Sequence, residues 1–272
     1  MADYDWRLAI EGSGEPLVLV PGMDGTGQLF YRQVPLLARS YRVATYALRN
    51  DASTMATLVD DLERVVAAVA PQTRRAIVVG ESFGGALAMS FALARPDQVD
   101  RLVVLNSFPY FAPQCRLRIA RYGLGLIPWG VMSLIRRATA FRLHSAHTHR
   151  DEIRRFMELT AAASQAGYLN RLQLLMSYDV RDRLHELRPP TLFLAADQDH
   201  LIPSVAQARL MAARVPNAML RVLEGHGHVC LIAPDVDLAE LLSWWHTASL
   251  TSGSSAPDTT RAGRHGSWSS RT

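Results

Sequence analysis

The chain has 272 residues, with 29 basic and 25 acidic side chains and a formal net charge of +4; it is long enough to bury a large core, and α/β folds of this size are often single domains. Every basic residue is arginine, because lysine is absent, which excludes Schiff-base chemistry, a Ser-Lys dyad and the lysine of a phosphate-binding loop. The modest positive charge is not spread along the chain and so does not argue for nucleic acid. No apolar run reaches the roughly 20 residues a membrane span needs, and no signal-peptide pattern opens the sequence, so the expected location is the cytosol. Cys115 and Cys230 lie far apart and are expected as two inert thiols rather than a disulfide.

In chain order, "PLVLVPG" (16–22), "YRVATYAL" (41–48), "RAIVVGES" (75–82), "DRLVVLNS" (100–107), "TLFLAAD" (191–197) and "AMLRVLEG" (218–225) read as strands. Several are continuously apolar, as strands covered on both faces must be. Between the second and third, Leu58, Leu62, Val65, Val66 and Val69 recur at helical spacing behind Ser53 or Thr54, which can cap the helix. Further helices are expected from Ser82 to Arg95, from Val205 to Arg214 and from Leu238 to His246. Such alternation predicts an α/β protein, a mostly parallel sheet with helices on both faces.

The alternation breaks after the fourth strand. Residues 110–188 read as helices at 114–122, about 130–138, 151–164 and 166–177, an inserted helical cap between core segments 1–109 and 189–249. From Tyr110 to Arg150 this insert carries seven arginines, three histidines and no carboxylate. Residues 250–272 are rich in Ser, Thr and Gly and are expected to form a disordered tail.

The strongest chemical signal is "GESFGG" (80–85), which follows a buried strand and opens a helix. That is the setting of a G-x-S-x-G nucleophile turn, where small residues let backbone segments nearly touch. A serine there needs a base to take its proton. "FLAADQDHLIP" (193–203) supplies acids after one later strand, and "LEGHGHV" supplies histidine after the last.

With serine, acid and histidine in that order, residues 15 to 248 resemble the α/β-hydrolase family, and the inserted helices correspond to its cap. The resemblance implies a nucleophile at Ser82, an orienting acid at Asp199 and a general base at His228, with no cofactor. Asp197 is the alternative acid. The position after the preceding strand, where some members carry the acid, offers only Asn106 and Ser107. His226 falls on a variable position and is expected to be a bystander; with His228 it lacks the further ligands of a metal site. His200 reads as a solvated loop residue.

The resemblance also implies an oxyanion hole built from the Phe83 amide and one amide of the loop "VPGMDGTG" (20–27), for which Met23 is the candidate. Much of the family has His-Gly where this chain has Pro21-Gly22. As a phosphate loop the segment lacks both the lysine and the G-x-G-x-x-G spacing.

The implied activity is hydrolysis of a carboxylic ester, including thioesters and lipid esters, through an acyl-enzyme. An acyltransferase, a C–C bond hydrolase and a perhydrolase use the same side chains, and a non-catalytic ligand-binding protein is the reading from another class. The expected partner is a small-molecule ester with an apolar acyl group, and no nucleic acid. The arginine-rich part of the insert, with Trp129, suggests contact with an anionic membrane surface or an acidic carrier, against the plainer reading that its arginines are simply solvated.

Overall fold

The computed structural model describes residues 7–111 and 143–252. The expected helices at 114–122 and 130–138, most of the arginine-rich stretch, Cys115 and the segment from 253 onward lie outside the described residues.

Seven strands form one sheet: β1 (Ala9–Glu11), β2 (Glu15–Val20), β3 (Tyr41–Thr45), β4 (Ala76–Glu81), β5 (Val99–Leu105), β6 (Thr191–Ala196) and β7 (Ala218–Leu223). Their order is β1-β3-β2-β4-β5-β6-β7. All neighbours run parallel except β1, which pairs antiparallel with β3 through Ala9↔Thr45 and Ile10↔Ala44. Six strands match the sequence expectation. Three-residue β1 does not, because a segment that short has no readable period.

Helices among the described residues are α1 (Gln33–Leu37), α2 (Met55–Val69), α3 (Phe83–Ala94), α4 (Arg150–Ala161), α5 (Gln165–Ser177), α6 (Ser204–Ala212) and α7 (Leu238–Ser252). α2 starts where its cap is made, the Thr54 side chain accepting from the Thr57 amide at 3.2 Å. It buries Leu58, Leu62, Val65, Val66 and Val69, the stripe the sequence sets out. α3 has no polar stripe, and its Gly and Ala positions let it lie close against the sheet. α4 and α5 lie between β5 and β6. α7 begins a separate compact unit from Ala239 onward, and it runs to Ser252 rather than stopping before residue 250.

The core is built on the strands: Leu17 to Val20, Ala76 to Val79 and Leu102 to Leu105 are essentially without solvent exposure. This two-sided burial is why those runs carry no alternating polar positions. After β2 the chain turns to one side to form β3, whereas β4 lies on β2's other side. The segments leaving the carboxyl ends of β2 and β4 therefore diverge, and an open α/β sheet forms its ligand crevice at such a point.

Candidate active site

The turn after β4 brings Ser82 out at that crevice. Its backbone is strained, with φ 57° and ψ −119°, a region that costs on the order of 1–3 kcal/mol for a residue with a side chain. The turn is held by its own neighbourhood. The Ser82 amide donates to Leu105 O at 2.9 Å, and the Ser107 hydroxyl donates to Ser82 O at 2.7 Å. A Cβ at Gly80 would fall on the Gly84 carbonyl, and one at Gly84 on the carbonyls of Val20 and Pro21. Phe83 opens α3, where amides have no partner within the helix, so its N–H belongs to a helix N-terminus beside the serine. The loop leaving β2 lies alongside: a Cβ on Gly22 would stand 3.9 Å from Ser82 Cβ.

Three side chains predicted from separate segments meet here. Ser82 Oγ is 2.9 Å from His228 Nε2, and His228 Nδ1 is 2.7 Å from Asp199 Oδ2. An ionised carboxylate only accepts, so His228 Nδ1–H donates to Asp199 and Nε2 is left to accept from the serine hydroxyl. Asp199 also accepts from the amides of Leu201 and Ile202 at 2.9 and 3.1 Å and from the Ser204 hydroxyl. Burial by itself raises the Asp199 carboxyl. The His228 hydrogen bond and charge, helped by Ser204 and Ile202, outweigh it and hold the group below its ordinary value.

Asp197 stands elsewhere, accepting from the Gly225 amide at 2.7 Å and so tying off the loop that carries the histidines. His200 is exposed. Met23 lies on the loop after β2, half-buried and packed against the core.

Sequence reasoning missed the supports of the His228 loop. Asn106, itself at φ 45°, donates from Nδ2 to His228 O at 2.8 Å and accepts at Oδ1 from the Ala196 amide at 2.8 Å. It thereby ties the ends of β5 and β6 to the histidine. Val229 N donates to Leu143 O at 2.8 Å, and Gly227 N to Ser145 Oγ at 3.3 Å. The Ser145 hydroxyl lies 2.8 Å from His226 Nδ1. On the other side of the ring, His226 Nε2 lies 3.7 Å from Asp235 Oδ2. His226 is thus a buried tie between the loop and residues 143–148. An Asn at positive φ ending an apolar strand was a usable hint for Asn106; nothing in the sequence marked Ser145.

Two further ionisable groups lie buried close by. Glu81, next to Ser82, is pushed up to about 7 by burial, with Asp24 and Asp199 adding to the rise and His228 opposing it. Cys230 is fully buried, its thiol raised chiefly by burial, with Sγ 3.5 Å from Asn106 Nδ2. Among the described residues no group of three or more His, Cys, Asp or Glu is arranged to hold a metal ion.

Comparison with known proteins places this geometry in context. The sequence profile of a family described as alpha/beta hydrolase fold matches residues 15–233. A pimeloyl-[acyl-carrier protein] methyl ester esterase of Xanthomonas campestris is 32% identical over 252 residues, covering 87% of this chain and 96% of the relative. A putative carbamate hydrolase RutD of a Caulobacter species is 28% identical over 245 residues, covering 85% and 90%. Among solved structures, an esterase from Exiguobacterium antarcticum superposes with a TM-score of 0.74 at 19% identity, over 90% of this chain and 94% of that one. An enol-lactonase from Burkholderia xenovorans does so with a TM-score of 0.74 at 18% identity, over 90% and 95%.

Proposed function

The chain belongs to the α/β-hydrolase fold family and is an enzyme of the ester-hydrolase type, and from that premise we propose that it cleaves a small-molecule carboxylic ester through an acyl-enzyme on Ser82. The observation that carries this reading is the continuous hydrogen-bonded line from Ser82 Oγ through His228 to Asp199.

In the first half-reaction His228 Nε2 takes the hydroxyl proton as Ser82 Oγ bonds to the ester carbonyl carbon. The imidazolium that forms is stabilised by Asp199, whose depressed pKa keeps it ionised. Charge collects on the former carbonyl oxygen. In this reading the Phe83 and Met23 amides receive it, each such donor contributing roughly 10²–10³ in rate. His228 then passes its proton to the departing alcohol oxygen as the carbon–oxygen bond breaks. In the second half-reaction His228 deprotonates water, which attacks the acyl carbon, and the proton returns to Ser82 Oγ as the acid leaves.

The Xanthomonas relative is named for a methyl ester, which supports a small alkoxide leaving group here. A fluorophosphonate probe is expected to label the wild-type protein and not the Ser82→Ala variant. Folded wild type that stays unlabelled would defeat the reading.

A further inference from the structure

Arg171 is only 1% exposed, among the most deeply buried side chains of any size in the protein. A guanidinium keeps its charge in any environment, so burying it is unfavourable unless its N–H groups are matched by acceptors. Here the acceptors include main-chain carbonyls of two loops. Nε donates to Met23 O at 2.9 Å, Nη2 to Asp24 O at 3.1 Å and Nη1 to Arg49 O at 3.4 Å. The loop makes room for it: Gly25 sits at φ +69°, and a Cβ there would stand 2.6 Å from Arg171 Cζ. One turn earlier on α5, Gly167 lies against the Asn50 side chain, and Asn170 donates to Asn50 O at 2.6 Å. The face of α5 from Gly167 to Arg171 is thereby fastened to the two loops that follow β2 and β3.

The consequence for Met23 comes from peptide geometry. Gly22 C=O and Met23 N–H share one trans peptide and point in opposite directions. The Gly25 amide donates to Gly22 O at 3.1 Å, which fixes that plane on one side of Met23. Arg171 fixes the next plane by holding Met23 O. With both flanking planes set, the direction of the Met23 N–H is set too.

We propose that Arg171 is a positioning residue for the oxyanion hole, clamping the loop after β2 so that the Met23 amide is aimed before substrate arrives. The proposal rests on the reading of Ser82 as nucleophile and Met23 as oxyanion donor. Through Arg171, helix α5 becomes part of the catalytic apparatus without touching substrate. Oxyanion donors work only over a narrow range, about 2.7–3.1 Å from the position the developing charge will occupy, so releasing this clamp weakens transition-state binding and leaves ground-state binding largely intact.

The test compares wild type, Arg171→Met, Arg171→Lys and Ser82→Ala in the full chain, using p-nitrophenyl acetate and a trifluoromethyl ketone. The ketone carbon accepts a bond from Ser82 Oγ, the proton passes to His228, and the resulting hemiketal oxyanion occupies the hole. For Arg171→Met, kcat is expected to fall about 10- to 100-fold with KM within about threefold of wild type. Affinity for the ketone should fall by the same factor. Arg171→Lys retains the charge but not the three-way fork, and should show the same pattern with a smaller loss. It also carries the test should Arg171→Met fail to fold. Unchanged kcat and ketone affinity in folded Arg171 variants, or a loss confined to KM, would overturn the proposal while leaving the Ser82 reading intact. Wild type without turnover, or Ser82→Ala that retains it, would instead defeat the reading of the site and this proposal with it.

Discussion

Ser82 and His228 meet across 2.9 Å, yet they are held in opposite ways. The serine turn is set mostly by close packing: Gly80 and Gly84 leave the backbone one path, and the end of β5 holds the Ser82 amide and carbonyl through Leu105 and Ser107. The histidine loop is held from afar. Its supports are Asn106, 122 residues earlier, Ser145, 82 residues before Gly227, and Leu143 through Val229. A closely packed turn is rigid and can be changed only by breaking it. A loop tied by dispersed hydrogen bonds can be loosened by degrees, from positions that never touch substrate.

The largest expected effect erases the difference. Ser82→Ala and His228→Ala should each lower kcat for p-nitrophenyl acetate by several orders of magnitude, about 10⁴- to 10⁶-fold. The double variant should be no worse than either single one, because the two groups act as one unit however differently they are supported. Additive losses would mean that the two side chains contribute to separate steps.

The same contrast explains how much could be read from the sequence. The sharp turn at Ser82 was legible in six residues, since its steric requirements fall on Gly80 and Gly84. The meeting of Asp199 and His228 with Ser82 was legible through their order after predicted strands. Six of the seven strands were legible as apolar runs, because both faces of the sheet are covered. The supports of the histidine loop were not. In the sequence Asn106 stands only where an acid is absent, and Ser145 and Arg171 bond main-chain groups that no side-chain pattern records. The His226 tie was hidden for the same reason: its partner lies 81 residues away in the chain.

Asn106→Ala attacks the distant support directly. It removes the bond to His228 O and leaves the buried Ala196 amide unpartnered. The expected cost is about 1–3 kcal/mol of stability in urea unfolding. A parallel fall of about 10- to 100-fold in kcat is expected, as the imidazole drifts from its near-attack position. If stability fell and kcat did not, the loop would be held by its remaining ties alone.

Ser145→Ala and His226→Ala probe the outer tie and should do less, about three- to tenfold in kcat each. They share one hydrogen bond, so the double variant should resemble the singles rather than their product. Full additivity would show that Ser145 acts through Gly227 independently of His226. Activity untouched in both would restore His226 to a bystander and leave Asn106 and Leu143 as the working supports.

The smallest effect sets one buried ionisable group in each region against the other. Burial raises Glu81, in the serine turn, from 4.5 to about 7, and lowers His144, beside the histidine loop, from 6.5 to about 4. Between pH 4.5 and 7 the unfolded chain releases the Glu81 proton while the folded chain retains it, so this group makes stability fall as pH rises. Between pH 4 and 6.5 the unfolded chain protonates His144 while the folded chain does not, so that group makes stability rise over nearly the same window. Each shift corresponds to roughly 3 kcal/mol at full extent, and in the wild type the two largely offset each other. Glu81→Gln should therefore steepen the rise of urea-unfolding stability from pH 4 to 7. His144→Phe, which preserves an aromatic ring against Phe156, should turn that rise toward a fall. Parallel profiles for wild type and both variants would mean that neither group is held in its buried charge state, and that the turn is no more sealed from water than the loop.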